Sequence, residues 1–164
     1  MDLLAHFRML ARYNRTANQR LYAVCAALDD AQYRQPRPGP FGSIHGLLNH
    51  LLLGDTIWLA RFEGGGGTTP PLGTILHHDF AGLRAGREAL DDRICGFLEV
   101  AGNEFLDRKF PYINNKGKSY AETAPVALAH FFNHQTHHRG QVCVMLATVP
   151  LQAPSLDLHR IVNP

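Results

Sequence analysis

Ser43-Ile44-His45-Gly46-Leu47-Leu48-Asn49-His50-Leu51-Leu52-Leu53-Gly54-Asp55-Thr56-Ile57-Trp58 reads as one helix running on towards Phe62. Ser43 is a good N-cap, because its hydroxyl can accept a hydrogen bond from an orphan amide of the first turn. Ile44, Leu47, Leu48, Leu51, Ile57 and Trp58 recur at helical spacing. Asn49, His50 and Asp55 break the apolar run, which falls far short of the ~20 residues that span a bilayer. The segment therefore predicts a helix of a protein interior, and His50 in its middle requires a partner, because a buried unpaired imidazole is costly.

On the N-terminal side, Leu3, Phe7, Leu10, Ala17, Leu21 and Val24 predict a first helix from Leu3 to about Leu28. The stretch Gln35-Pro36-Arg37-Pro38-Gly39-Pro40 cannot continue it. On the other side, Gly64-Gly65-Gly66-Gly67-Thr68-Thr69-Pro70-Pro71 reads as a plain connection, since no Gly-Lys-Ser/Thr follows it and no strand precedes it. A third helix is expected from Thr74 to Val100. Arg108–Ile113 and Lys118–Tyr120 flank the turn-forming Asn114-Asn115-Lys116-Gly117, which predicts a short hairpin. The last helix is expected from Thr123 to about Thr148, with Pro125 in its first turn. The tail from Leu151 to Pro164 is expected to be mostly irregular. The fold class is all-α: a four-helix bundle with a small β-hairpin before the last helix, as a single domain over residues 1–164.

The 164 residues suit one core, and an apolar share of 45% argues against disorder. Sixteen basic residues against fourteen acidic ones, mostly interspersed, give no basic stripe, so no nucleic-acid partner is expected. The N-terminus shows no basic region leading into an apolar block, and Cys25, Cys95 and Cys143 form neither a CxxC pair nor a disulfide framework. A cytoplasmic protein without membrane contact is expected. Histidine is the unusual residue, with ten copies.

Four of them fall in His130-Phe131-Phe132-Asn133-His134-Gln135-Thr136-His137-His138-Arg139-Gly140-Gln141. Residues four apart on a helix differ by about 40°, so His134 and His138 share a face and can converge on one ion. His130 and His134 are a competing pair with the same spacing. His137 points about 60° to the other side of His134. The plain alternative is an amphipathic helix that happens to be rich in histidine. Two ligands rarely make a tight site, and His50 is the best candidate for a third from another helix. His6, His45, His77, His78 and His159 read as structural or surface residues.

With these residues in view, the chain resembles the DinB/YfiT-like superfamily of metal-dependent proteins. Tyr13-Asn14-Arg15-Thr16-Ala17-Asn18-Gln19-Arg20-Leu21 is similar to that family's YNxxANxRL, His50 to Trp58 to its HxxxxDxxW, and Asn133 to Gln141 to its NHxxxHRGQ. The order of the motifs is kept; Thr16 stands where many relatives carry an aromatic residue. The resemblance implies a bundle with a metal ion held by His50, His134 and His138, and commonly a homodimer; imidazole suits zinc, nickel, copper and iron alike, and a divalent ion, zinc or nickel, is expected. It also implies, from some members, transfer chemistry on a low-molecular-weight thiol such as bacillithiol or mycothiol.

Three imidazoles leave coordination positions open, as catalytic sites do. The expected function is a metal-dependent transferase of thiol type acting on a small-molecule substrate. A metal-dependent hydrolase and a non-catalytic metal-binding stress-response protein are the alternatives. No catalytic side chain beyond the ligands is legible. Gln141, about 20° from His134, can face the site. Arg139, about 140° from His134, is expected to support a dimer contact or an adjacent loop. Asp55 points about 140° from His50 and is expected to orient a neighbouring helix by hydrogen bonding. Cys143 is expected to be a buried small apolar residue, and Tyr13 and Tyr120 to be packing residues.

Overall fold

The computed structural model of the chain describes residues 2–65, 69–113 and 117–163. Asp2 accepts the amide of Ala5 and opens α1 (Leu3–Cys25), whose stripe from Leu4 and Phe7 to Leu21 and Tyr22 is buried. A capping box of Asp29 and Gln32 forms the short α2 (Asp30–Arg34). Ser43 caps α3 (Ile44–Phe62) by accepting the amide of Gly46 at 3.0 Å, as the sequence predicts. Then follow α4 (Phe80–Val100), α5 (Asn103–Leu106), β1 (Lys109–Ile113), β2 (Ser119–Thr123), α6 (Ala124–Leu146) and α7 (Leu158–Val162). The two strands pair antiparallel with Phe110 opposite Glu122 and Tyr112 opposite Tyr120. Asn114, Asn115 and Lys116 of the expected turn, and Gly66, Gly67 and Thr68 of the expected connection, lie outside the described residues.

The four long helices form the expected bundle, α1 packing on α4 and α6, and α3 on the same two. Side-chain contacts give the directions. Arg8 reaches the Leu98 and Ala101 carbonyls while Arg15 pairs with Asp92, so α1 and α4 are antiparallel. His50 meets His138 while Phe62 meets Phe131, so α3 and α6 are antiparallel too. Asp55 binds Arg87 and Glu63 binds Arg93, which makes α3 and α4 parallel.

Two parallel helices in succession need a connection that returns along the bundle. This corrects the expected start of the third helix at Thr74. The chain after α3 must travel back beside it for roughly 28 Å, the length of its 19 residues. Residues 69–78 are therefore used as a non-helical crossover with a turn at Leu72 and Gly73. Asn49 holds them there, accepting the amides of Leu76 and His77 and donating to the His77 carbonyl. Helix α4 starts only where Asp79 caps it on the amide of Gly82 at 2.7 Å.

At one end of the core, Phe62 packs against Phe97, Phe105, Phe110 and Phe131 with ring centroids 5.4–6.2 Å apart. The hairpin lies over this cluster through the buried Phe110. The tail makes the short α7 and packs on α1, where Tyr13 donates to the Leu156 carbonyl at 2.8 Å. No described helix is long and apolar enough to cross a membrane.

Candidate metal centre

His50, His134 and His138 come together between α3 and α6, and their candidate ligand nitrogens all lie within 4.8 Å of one another. Antiparallel packing brings the middle of α3 against the one-turn pair on α6. Gly54 makes the approach possible: a Cβ there would sit 3.1 Å from Cε1 of His134. The Nε2 atoms of His50 and His134 are 3.2 Å apart. Two imidazole nitrogens sharing one ion at ~2.0–2.1 Å stand roughly 3.3 Å apart in tetrahedral geometry, so this pair fits a shared ion without rearrangement.

The second ring nitrogen of two of these residues is occupied. Nδ1 of His50 lies 3.0 Å from the Leu72 carbonyl in the crossover, and a carbonyl can only accept, so the proton sits on Nδ1 and Nε2 is left bare. His138 Nδ1 lies 2.7 Å from Oε1 of Gln141, with the same consequence. Gln141 also contacts His137 Nε2 at 3.2 Å. Such partners fix tautomer and ring orientation in metal sites. Phe41 supplies a wall, stacked on His50 with ring centroids 3.7 Å apart. Its φ of 66° is in the left-handed region, uncommon for a bulky residue. Gly46 accommodates that turn, since a Cβ there would lie 2.1 Å from the Phe41 carbonyl oxygen.

Burial, together with the four neighbouring imidazoles of His138, His50, His130 and His137, pushes the pKa of His134 down to about 3. Burial likewise lowers those of His50 and His138. All three rings are neutral at pH 7, the protonation state a metal requires.

Beneath the histidines lies a buried polar network joining the four long helices. Gln135, next to His134, donates to Asp55. Asp55 pairs with Arg87 at 2.7 Å, and Arg87 Nη2 lies 2.8 Å from Asp91. Asn18 donates to both oxygens of Asp91 at 3.1 Å, and Asn14 to one at 3.3 Å. Arg139 donates to Asn14, to Asn18 at 3.2 Å and to Gln135 at 3.3 Å. Two arginines and two aspartates, each 1–2% exposed, thus balance in charge.

This overturns the expected outward role of Arg139. The direction about 140° from His134 points to α1, which closes the bundle there, so the guanidinium is interior. Asp55 does orient a neighbouring helix, as expected. Arg87 and Asp91 were not read from the sequence. Their signal is there: both fall within the apolar stripe of Leu83, Leu90 and Ile94, where an Arg–Asp pair at i,i+4 has to be buried together.

Among the described residues, His130 and His137 do not join the group: His130 lies against Trp58, its ring 5.4 Å away. Cys143, expected to be buried, is half-buried at the edge of the core. Tyr13 binds the tail and Tyr120 stacks on Tyr112, both as packing residues.

In sequence and fold the chain is similar to known proteins. The chain is 27% identical over 146 residues to Protein DinB of Bacillus subtilis (strain 168), covering 84% of this chain and 82% of that one. Its fold is similar to that of a DinB-like protein from Bacillus cereus, with a TM-score of 0.66 at 18% identity over 87% of this chain and 90% of the other. It is also similar to a DinB-like protein from Bacillus subtilis, with a TM-score of 0.55 at 16% identity over 95% and 98%. A profile of the DinB family matches residues 3–162, nearly the whole described bundle with its three histidines, and the chain belongs to the DinB family.

Proposed function

We propose that His50, His134 and His138 hold a divalent metal ion, zinc or nickel, and that the protein uses it in transfer chemistry on a small thiol and an electrophilic substrate. The observation that carries this reading is the convergence of three neutral imidazoles, two with their second nitrogen already committed to a fixed acceptor. Such a donor set suits a first-row metal and leaves room for a further ligand. An ion held there would act as a Lewis acid, lowering the pKa of a thiol or water that reaches its remaining position.

The chain's own residues have separate tasks. Leu72 and Gln141 orient His50 and His138, while Phe41 screens His50 from water on one side. The buried network fixes α6 in register against α1, α3 and α4, so the spacing of the rings does not drift. A homodimer in the cytoplasm completes the reading.

Elemental analysis of untagged protein beside His50→Ala and His134→Ala variants tests the site. About one equivalent of zinc or nickel in the native protein, lost in both variants, is the expected result. Metal persisting in His50→Ala would move the site into α6. Metal bound as expected, but without turnover of any thiol and electrophile pair, would leave a non-catalytic metal-binding protein. Turnover of an ester or amide without thiol would indicate a hydrolase.

A further inference from the structure

A groove of about 1420 Å³ runs beside the C-terminal half of α3, between the crossover and β1. Near His50 it is lined by Leu53 and Leu72, the residue whose carbonyl orients His50. Its far end is different in character. Arg61, Arg108 and Lys109 line it there, roughly 16 Å along α3 from His50.

None of these three cations forms an ion pair among the described residues, although most of the exposed arginines do. Arg61 is half-buried, with its guanidinium 4.7 Å from the Trp58 ring and 4.6 Å from that of Tyr112. The two rings meet edge to face with centroids 5.4 Å apart, so the guanidinium sits in the corner they form and keeps its other side for hydrogen bonds; Thr69 Oγ1 at 3.4 Å takes one of them at most. Arg108 commits Nη1 to the Phe62 carbonyl at the end of α3 and keeps the rest of its fork. The acidic residue of the hairpin nearest this end, Glu122, acts on Tyr112 and His130 and does not pair with the cations.

A held, partly desolvated guanidinium without a counter-ion is a costly arrangement unless something anionic completes it. We propose that this groove is a binding site for a small organic anion, a carboxylate or phosphate ester with an apolar body. Arg61 and Arg108 receive the oxyanion, Lys109 adds long-range attraction, and Ile57, Phe110 and Tyr112 contact the apolar part. The site belongs to the groove and stands whether or not the histidines bind metal.

Trp58 is the single tryptophan of the chain and is in contact with Arg61, so its fluorescence reports on this end of the groove. The probes are phenylacetate and phenyl phosphate, with phenylacetamide and benzyl alcohol as neutral counterparts, titrated by fluorescence and by calorimetry. Both anions, or one of them, should bind saturably and the neutral pair should not; the anion that binds tells carboxylate from phosphate recognition. Affinity should fall about tenfold or more in Arg61→Met and in Arg108→Met, each with its melting temperature checked, and should weaken as salt is raised.

The same titrations on chelator-treated protein and on His134→Ala should give the same affinity. Loss of binding there would mean that the anion sits on the metal, and would overturn the groove assignment. So would equal binding of the neutral probes, or unchanged affinity in both arginine variants.

Discussion

Arg139→Met is the sharpest test of the buried network. Arg139 is 2% exposed and donates to side-chain oxygens of Asn14, Asn18 and Gln135. Methionine fills most of the same length but supplies no donor. Three buried acceptors lose a partner, and the network changes from two positive and two negative groups to one positive and two negative. Removing one member of a buried charged set costs roughly 3–5 kcal/mol. For a chain of this size 1 kcal/mol moves the melting temperature by about 2–4 °C, so a fall of roughly 6–20 °C is expected. The control is Arg12→Met. Its side chain is 54% exposed and pairs with Glu99 at 3.1 Å, a type of contact that contributes about 0.2–1 kcal/mol. Thermal unfolding followed by circular dichroism at pH 7.5, with urea titrations alongside, measures both. An Arg139→Met variant that melts as close to the native protein as Arg12→Met does would refute the argument that this charge balance supports the bundle.

Gly54→Ala should weaken metal binding about 10–100-fold by pressing a methyl group on His134, with the helical signal retained; competition against a chromogenic chelator measures it. Gln141→Leu removes the acceptor that orients His138 and should lower affinity over the same range, while His137→Ala should leave it near native. Phe62→Ala empties the centre of the aromatic cluster and should cost about 3–5 kcal/mol in urea unfolding. With the pKa of His134 lowered to about 3 from an ordinary 6.5, the unfolded chain binds more protons between those values. Metal-free protein should therefore lose stability as pH falls from 6.5 towards 3 and show no contribution from this group above it. The slope of melting temperature against pH should flatten in His134→Ala, and an unchanged slope would contradict the assigned burial.

Much of the candidate site was legible because its chemistry follows helix geometry. His134 and His138 share a face whatever packs against them, and His50 stands out because an imidazole in Leu47–Leu53 needs a partner. Local rules also located the Ser43 cap, the hairpin strands and Pro125 at the start of α6. The interior place of Arg139 is not legible in the same way, because an angle on a helix names a direction, not what occupies it. That direction leads into the bundle only because α1 lies there.

The four long helices, their apolar faces and the residue types able to hold an ion are legible in local sequence, since they depend on contacts within a few residues, whereas the short α2, α5 and α7 are not. Which histidine meets which, where α4 begins and that Arg139 is interior come from the packing of the helices on one another. The reason is the parallel placement of α3 and α4. It obliges the crossover to run back along α3, takes residues 74–79 away from a helix their own spacing favours, and delivers the Leu72 carbonyl to His50. Such long-range pairings carry no local periodicity, so they become visible only when the four helices are set side by side.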